Sequence, residues 1–214
     1  YEKYAHIVAE TRGGKKHPCR VVSLMHPDFK ELVEKWYFEV CGVLKEYLID
    51  NKGPVIMFQL DNEVGMLNWI TNSPDMSQIA VDMFVSDIKS SNADISYEDQ
   101  ALKEKLLSQD CPLYLQNMYM DFMRRYYREY FLFLKSTALK NGMTVPFVIN
   151  VHGFTSQDYA KRGKEYPIGL SQLKSSVECE GIITAGDYYV GNIIPENYTD
   201  ITIVNGFTQA LQNS

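Results

Sequence analysis

The sequence lacks the features that identify several broad classes of protein. No apolar run approaches the roughly 18 residues that a membrane-spanning helix needs. No G-x-G-x-x-G or G-x-x-x-x-G-K-[ST] motif follows a predicted strand. The net charge is −6, and the basic residues are scattered apart from Lys15-Lys16 and Arg124-Arg125. These absences argue against a membrane protein, a nucleotide-binding doubly wound domain and a nucleic-acid partner.

Cysteine is scarce and shows no pairing pattern. The chain has four cysteines, Cys19, Cys41, Cys111 and Cys179, which are widely spaced and form no C-x-x-C motif. Zinc sites and small disulfide frameworks both depend on closer, patterned spacing. We therefore expect reduced thiols that are mostly buried or incidental, and no metal site. The compartment of the protein stays open, with the cytoplasm favoured.

The most informative stretch is the one in which an apolar run ends abruptly in polar residues. Val55–Leu60 is nearly all apolar, which predicts a strand buried on both faces of a parallel sheet. Asp61, Asn62 and Glu63 follow at once. Ligands bind at the carboxyl ends of parallel strands, so these side chains are candidates for chemistry. The same pattern also fits an Asx-type turn whose acidic residues cap the next helix.

Hydrophobic periodicity divides the rest of the chain into helices and strands, and their order from Asp28 to Val151 fits two right-handed βαβ repeats. Asp28 is predicted to cap the first helix, and the turn-rich segment 89–99 is predicted to be an exposed loop. The predicted helices cover 28–50, 73–88, 97–108, 110–140, 170–175 and 199–211, and further strands cover 145–151 and 181–185.

Two predicted helices carry large apolar faces that we expect to lie in the core. Trp36 belongs to the first of these faces and is predicted to be buried. The first face comprises Leu32, Val33, Trp36, Tyr37, Val40, Val43, Leu44 and Tyr47. The second comprises Tyr114, Tyr119, Phe122, Tyr126, Tyr127, Tyr130, Phe131 and Phe133.

The segment from Gly53 to Gly65, GPVIMFQLDNEVG, resembles the fourth-strand motif of clan-A glycoside hydrolases. It is closest to the β-galactosidase families 35 and 42, whose pattern is roughly G-P-[IV]-I-x-x-Q-[IVL]-[DE]-N-E-[YF]-G. The main departure is Val64, where an aromatic residue is usual. The resemblance implies that Glu63 is the general acid/base and that Asn62 bonds the sugar 2-hydroxyl.

Further substrate-binding candidates lie near the same predicted rim. Asp61 directly precedes Asn62 and Glu63 in the sequence. Trp69 either stacks against the sugar or is an aromatic residue of the rim that packs under the loop. Asn150 and His152 end the next strand, where they contact sugar, orient a carboxylate or serve structure alone. The resemblance also implies a sugar-binding Asp187 and a tyrosine, Tyr188, at the end of the sixth strand. His26 either faces substrate or is a solvated loop residue.

The resemblance implies an α/β fold, a partial (β/α)₈ TIM barrel holding about strands 4 to 6 with flanking helices. A complete barrel takes about 250 residues, so we interpret 1–214 as a fragment of a single catalytic domain. Its predicted parts are a strand 3–helix 3 loop (1–27), the helix and acid/base strand (28–65), a helical excursion (66–144), and strands 5 and 6 with the following helix (145–214).

The implied activity is that of a retaining glycoside hydrolase that cleaves terminal β-galactosides with two carboxylates. The nucleophile would be a glutamate at the end of a seventh strand beyond Ser214, because Glu178, Glu180 and Glu196 flank the sixth strand unsuitably. The fragment alone should then lack turnover. No cofactor is expected; the partner is a carbohydrate substrate, and a homo-oligomer of the full-length enzyme is allowed. The alternatives are a β-glucosidase, a β-mannosidase or a non-catalytic carbohydrate-binding barrel.

Overall fold

The computed structural model describes residues 2–71, 73–91, 97–151 and 178–186. A 3₁₀ helix, Glu2–Ile7, precedes helix α1 at Pro27–Leu44, which continues into short 3₁₀ turns at Lys45–Tyr47 and Ile49–Asn51. The remaining elements are β1 (Phe58–Asn62), α2 (Met66–Thr71), α3 (Gln78–Ser90), α4 (Asp99–Leu107), α5 (Leu113–Lys140), β2 (Phe147–Val151) and β3 (Ile182–Gly186). The predicted helices at 170–175 and 199–211 lie outside the described residues.

The three strands form a parallel sheet in the order β1-β2-β3, which confirms the parallel arrangement. Phe58, Phe147 and Ile182 stand side by side across it. Among the described residues, four helices, α2 to α5, separate β1 from β2 in the sequence. Three strands are a sheet and not a closed barrel, so membership of a (β/α)₈ barrel stays a prediction.

The sheet is covered by helices on one face. Phe147 and Ile149 on β2 are buried on that face. Helix α5 packs against β1, and Tyr37 of α1 contacts Phe58, whose ring meets that of Phe147. The opposite face is open in the described part of the chain, and Ile183 there is 49% exposed. The prediction that 55–60 is a strand buried on both faces is therefore wrong. The strand begins at Phe58 and lies at the edge of the sheet described, and Ile56 before it is 59% exposed.

Helix α1 begins one residue earlier than expected and has a different cap. Pro27 occupies its first turn, where the missing N–H costs nothing. The side chain of His26 accepts the backbone N–H of Asp28 through Nδ1 at 3.2 Å. Asp28 is therefore not the N-cap; its carboxylate accepts instead from His6 Nε2 at 2.7 Å. His26 thus serves the helix terminus.

The apolar face of α1 is narrower than the periodicity suggested. Val33, Tyr37 and Cys41, four residues apart, are buried against the sheet and α5. Trp36 is 66% exposed, so its predicted place in the core is wrong, and Val43 and Tyr47 are exposed as well. Periodicity tells which side chains share a side of a helix, but the width of the surface that meets it is set by the neighbouring elements.

Helix α5 forms the centre of the core. Six of its eight predicted aromatic residues are buried, namely Tyr119, Phe122, Tyr126, Tyr127, Tyr130 and Phe131. Phe84 of α3 meets two of these rings, with centroid separations of 5.0 Å to Tyr119 and 5.6 Å to Phe122. Tyr114, in the first turn of α5, is exposed, although its neighbour Leu115 is buried. The predicted aromatic core is thus largely confirmed.

The thiols give a test of this packing. Cys41, Cys111 and Cys179 are buried and Cys19 is exposed, in keeping with the expected free thiols. Burial raises the pKa of Cys179 to about 11 and also raises the pKa of Cys41. Because the thiolate is the reactive form, only about one Cys179 in 1,000 would be ionised at pH 8.

We expect iodoacetamide at pH 8 to modify Cys19 rapidly and the three buried thiols only after unfolding. Peptide mapping by mass spectrometry at successive times measures each rate. In Cys19→Ser the fast phase should vanish. Rapid labelling of Cys179 in the folded protein would contradict the packing described here.

Candidate active site

A bulge at the end of β1 decides which way the polar residues point. Gln59 pairs with Val148 and Asn62 pairs with Asn150, so two residues of β1 oppose one residue of β2. Regular alternation would place residues 59 and 61 on one face. The extra residue puts Gln59 and Asn62 together instead, because a bulge shifts the pattern by one position.

Asn62 is held by two amide donors at this edge. Gln59 Nε2 donates to Asn62 Oδ1 at 3.1 Å, and Asn150 Nδ2 donates to the same oxygen at 2.9 Å. Both contacts orient the Asn62 amide so that its oxygen points to the side chains of Gln59 and Asn150. The structure thus brings Asn62 and Asn150 together, as their positions at the ends of neighbouring parallel strands predicted.

Glu63 follows directly and has an unusual backbone conformation. Its φ of +49° lies in the left-handed region, which non-glycine residues enter uncommonly. Its N–H donates to the carbonyl of Asn150 at 2.9 Å, and its carbonyl accepts from Met66 N at 3.0 Å. Gly65, with φ of +78°, completes the turn into α2. Backbone strain of this kind clusters at functional sites when the surrounding contacts enforce it.

Asp61 turns toward the helices. Tyr130 of α5 donates its hydroxyl to Asp61 Oδ2 at 3.0 Å, and the backbone N–H of Asn62 donates to Asp61 Oδ1 at 2.7 Å. Burial raises the pKa of the Asp61 carboxyl, while these two donors oppose the rise because they favour the ionised form. Burial also raises the pKa of Tyr130, and the nearby Asp61 adds to that effect.

Asp61, Asn62 and Glu63 all line one open cavity of about 480 Å³. Its other wall is formed by residues 19–22 and Leu24, which include the exposed Arg20, and Phe29 and Tyr130 line the cavity as well. A space of this size suits a sugar unit or a small oligosaccharide. The charged residues that line this otherwise largely apolar space are Arg20, Asp61 and Glu63.

The remaining predicted site residues are not placed. His152, Asp187 and Tyr188 lie outside the described residues, as does the side chain of Trp69, whose backbone belongs to α2. Their roles stay predictions. Among the residues that the structure describes, no group of three or more His, Cys, Asp or Glu side chains is arranged to hold a metal ion. No helix in that part is long and apolar enough to span a bilayer.

Three residues at the site had no specific signal in the sequence. Tyr130 was one aromatic of a core face, Tyr37 another, and Arg20 was an ordinary residue of a loop. Tyr37 of α1 donates its hydroxyl to the carbonyl of Leu60 at 2.5 Å, beside the bulge. The left-handed φ of Arg20, +53°, bends the opposite wall of the cavity. Only the assembled fold brings these residues to Asp61 and Glu63.

Two comparisons of the sequence with known proteins bear on the range that holds this site. A β-1,2-glucosyltransferase of Ignavibacterium album is 25% identical over 150 residues, which cover 63% of this chain. The chain spans 20% of the length of that relative. The profile of the family described as Glycosyl hydrolases family 35 matches residues 17–152, a range that includes Asn62, Glu63 and Asn150. The match confirms the resemblance found in the strand motif, and the chain belongs to glycosyl hydrolase family 35.

Proposed function

We propose that this chain carries the acid/base half of a retaining glycoside hydrolase that cleaves terminal β-galactosides. The observation that carries the proposal is the placement of Glu63. It follows a parallel strand on the wall of a 480 Å³ cavity, within the range that matches the family. The carboxyl ends of parallel strands are where α/β enzymes bind their substrates.

Asn62 supplies a hydrogen bond to the substrate in this proposal. Its carbonyl oxygen already accepts from Gln59 and Asn150. Its Nδ2 group is then directed away from those two donors and can donate to a sugar hydroxyl. A bond to the 2-hydroxyl that strengthens in the transition state would add to catalysis. Asn150, Trp69, His152, Asp187 and Tyr188 are the further residues that we propose near the sugar. Both carboxylate oxygens of the remaining candidate, Asp61, already accept from protein donors.

The reaction would run in two steps on two carboxyl groups about 5–5.5 Å apart. Protonated Glu63 gives its proton to the glycosidic oxygen, while a nucleophilic carboxylate forms an ester with the anomeric carbon. Glu63, now ionised, takes a proton from water, and the resulting oxygen nucleophile displaces the enzyme carboxylate. We propose that the nucleophile is a glutamate on a seventh strand of a (β/α)₈ barrel, outside these 214 residues. The four parts 1–27, 28–65, 66–144 and 145–214 would belong to that barrel.

A glycosyl transferase is the second candidate, because the relative from Ignavibacterium album is named a β-1,2-glucosyltransferase. The first step is the same, and Glu63 keeps its role. In the second step a sugar hydroxyl takes the place of water, so Glu63 deprotonates the acceptor sugar. The β-glucosidase and β-mannosidase alternatives differ only in the sugar recognised, and a non-catalytic barrel would use the cavity for binding alone.

The test uses the full-length enzyme with 4-nitrophenyl β-D-galactoside, β-D-glucoside and β-D-mannoside. We expect the galactoside to give the highest kcat/KM, and proton NMR of the first product to show the β anomer. A higher kcat/KM for the glucoside, with products longer than the donor when glucose is added, would favour the transferase. Inversion at the anomeric carbon, or no turnover of any glycoside, would refute the proposed mechanism.

A further inference from the structure

Asp61 links the long helix α5 to the end of β1. One carboxylate oxygen accepts the Tyr130 hydroxyl at 3.0 Å, and the other accepts the backbone N–H of Asn62 at 2.7 Å. Tyr130 is 2% exposed, so a sugar in the cavity has little access to it. Each oxygen of Asp61 therefore has a protein donor before any substrate binds.

A second tyrosine holds the neighbouring residue. Tyr37 of α1 donates its hydroxyl to the carbonyl of Leu60 at 2.5 Å. Leu60 and Asp61 are the two residues of β1 that lie between the paired positions Gln59 and Asn62. The two tyrosines, which we call the tyrosine clamp, thus hold the two residues of the bulge from two different helices.

The tyrosine clamp affects the direction in which the Glu63 side chain points. If the bulge were lost, the strand would return to regular alternation, and a shift by one residue moves each following side chain to the other face. Asn62 would then turn toward the helices and lose Gln59 and Asn150 as partners. The left-handed turn at Glu63 would also change. It starts from the hydrogen bond between the Glu63 N–H and the Asn150 carbonyl, and that pairing depends on the register of β1 with β2.

We propose that Asp61 is a positioning residue for the general acid/base, held by the Tyr130 hydroxyl, and does not itself bind sugar. This inference rests on the proposed role of Glu63. Asp61 acts through the backbone of Asn62: its carboxylate fixes the bulge, and the bulge aims the following two side chains into the cavity. A misplacement of about 1 Å at a catalytic group can cost about 100-fold in rate.

The dependence of rate on the leaving group separates positioning from binding. A misplaced acid slows the cleavage of poor leaving groups, which need the proton, more than that of good ones. The loss of a contact to the sugar ring weakens the binding of both substrates to the same extent, because both carry the same galactosyl group. The comparison therefore uses lactose and 2,4-dinitrophenyl β-D-galactoside with the same full-length enzyme.

Tyr130→Phe removes one buried hydroxyl, and Tyr126→Phe is its matched control. Tyr126 lies on the same helix and is equally buried, but its hydroxyl donates to Asp75 Oδ2 at 3.0 Å and not to Asp61. We expect Tyr130→Phe to lower kcat on lactose about tenfold, with KM nearly unchanged. The loss of kcat/KM on the dinitrophenyl substrate should be smaller than that on lactose. Tyr126→Phe should lower the melting temperature and leave the ratio of the two rates unchanged.

Asp61→Asn provides a second variant of nearly unchanged volume. An amide offers one acceptor oxygen, so either Tyr130 or the Asn62 N–H loses its partner. We expect about a 100-fold loss of kcat on lactose and again a smaller loss on the dinitrophenyl substrate. Circular dichroism verifies that both variants are folded.

Equal losses on the two substrates with a raised KM would show that Asp61 contacts the sugar and would overturn the proposal. Unchanged kinetics in folded Tyr130→Phe and Asp61→Asn would overturn it too. The role of Glu63 is tested separately by its own substitution. The proposed role of Glu63 fails if the loss of rate in Glu63→Gln is the same for good and for poor leaving groups.

Discussion

Glu63→Gln in the full-length enzyme is expected to lower kcat on lactose by about 1,000-fold, within the range typical of a lost general acid/base. Glutamine keeps the shape of the side chain and removes the transferable proton. The rate of the first step should fall far less for an aryl galactoside with a good leaving group, such as 2,4-dinitrophenyl β-D-galactoside. Steady-state kinetics on both substrates measures the difference.

Azide provides the complementary test of the same residue. In Glu63→Gln the glycosyl-enzyme would accumulate, because no base activates the water of the second step. Azide needs no base, so it should restore the rate on the dinitrophenyl substrate and release β-galactosyl azide. Glu34→Gln, an exposed carboxylate on α1, is the matched control and should leave both rates unchanged. Equal losses on both substrates without an azide effect would contradict the assigned role.

Asp75→Ala is expected to cause the largest loss of stability among single polar substitutions in the described core, about 3 kcal/mol in the free energy of unfolding. Asp75 is 4% exposed, and its carboxylate accepts from Ser77 N at 2.9 Å and from the Tyr126 hydroxyl at 3.0 Å. Removing the carboxylate leaves two buried donors without this partner. Each such donor costs about 1–3 kcal/mol.

Urea and thermal unfolding measure the effect, and Asp75→Asn and Asp110→Ala are the controls. The asparagine keeps one acceptor oxygen and should fall between the wild type and the alanine variant. Asp110 is exposed, so its replacement should change the free energy of unfolding by less than about 0.5 kcal/mol. A loss below about 1 kcal/mol for Asp75→Ala would mean that the buried network contributes little.

The buried Asp75 network also connects one wall of the cavity, the loop before α1, to the core. Ser23 Oγ lies 3.1 Å from Ser77 Oγ, and the backbone N–H of Met25 donates to the Tyr126 hydroxyl at 3.2 Å. These bonds join the loop before α1, which carries Arg20 and Cys19, to helix α5. Helix α5 therefore contacts the loop before α1 through Tyr126 and the end of β1 through Tyr130.

Much of the site was readable from short stretches of sequence. The run from Leu60 to Glu63 placed polar side chains at a strand end, and the longer motif from Gly53 to Gly65 identified the family. The long helix, the strands near 147 and 182 and the buried aromatic residues followed from periodicity and apolar runs. Such features depend on residues close together in the chain, whose preferences are strong enough to be seen without the fold.

Other predictions failed where a distant part of the chain decides the outcome. Trp36 has the spacing of a core residue, yet no described neighbour covers it. The strand expected to start at Val55 begins at Phe58, because pairing with β2 starts there. The N-cap of α1 is His26, not Asp28, and the local sequence was compatible with either.

The family, the parallel α/β order and the identity of the proposed acid follow from the amino-acid sequence alone, because these reside in one continuous motif and in local periodicity. The folded chain was needed to show that Asp61 turns to Tyr130, 69 residues away, and that Asn62 meets Asn150, 88 residues away. The direction of a side chain at a bulge depends on which donors stand beside it. Those donors come from helices and strands that meet only after the chain has folded.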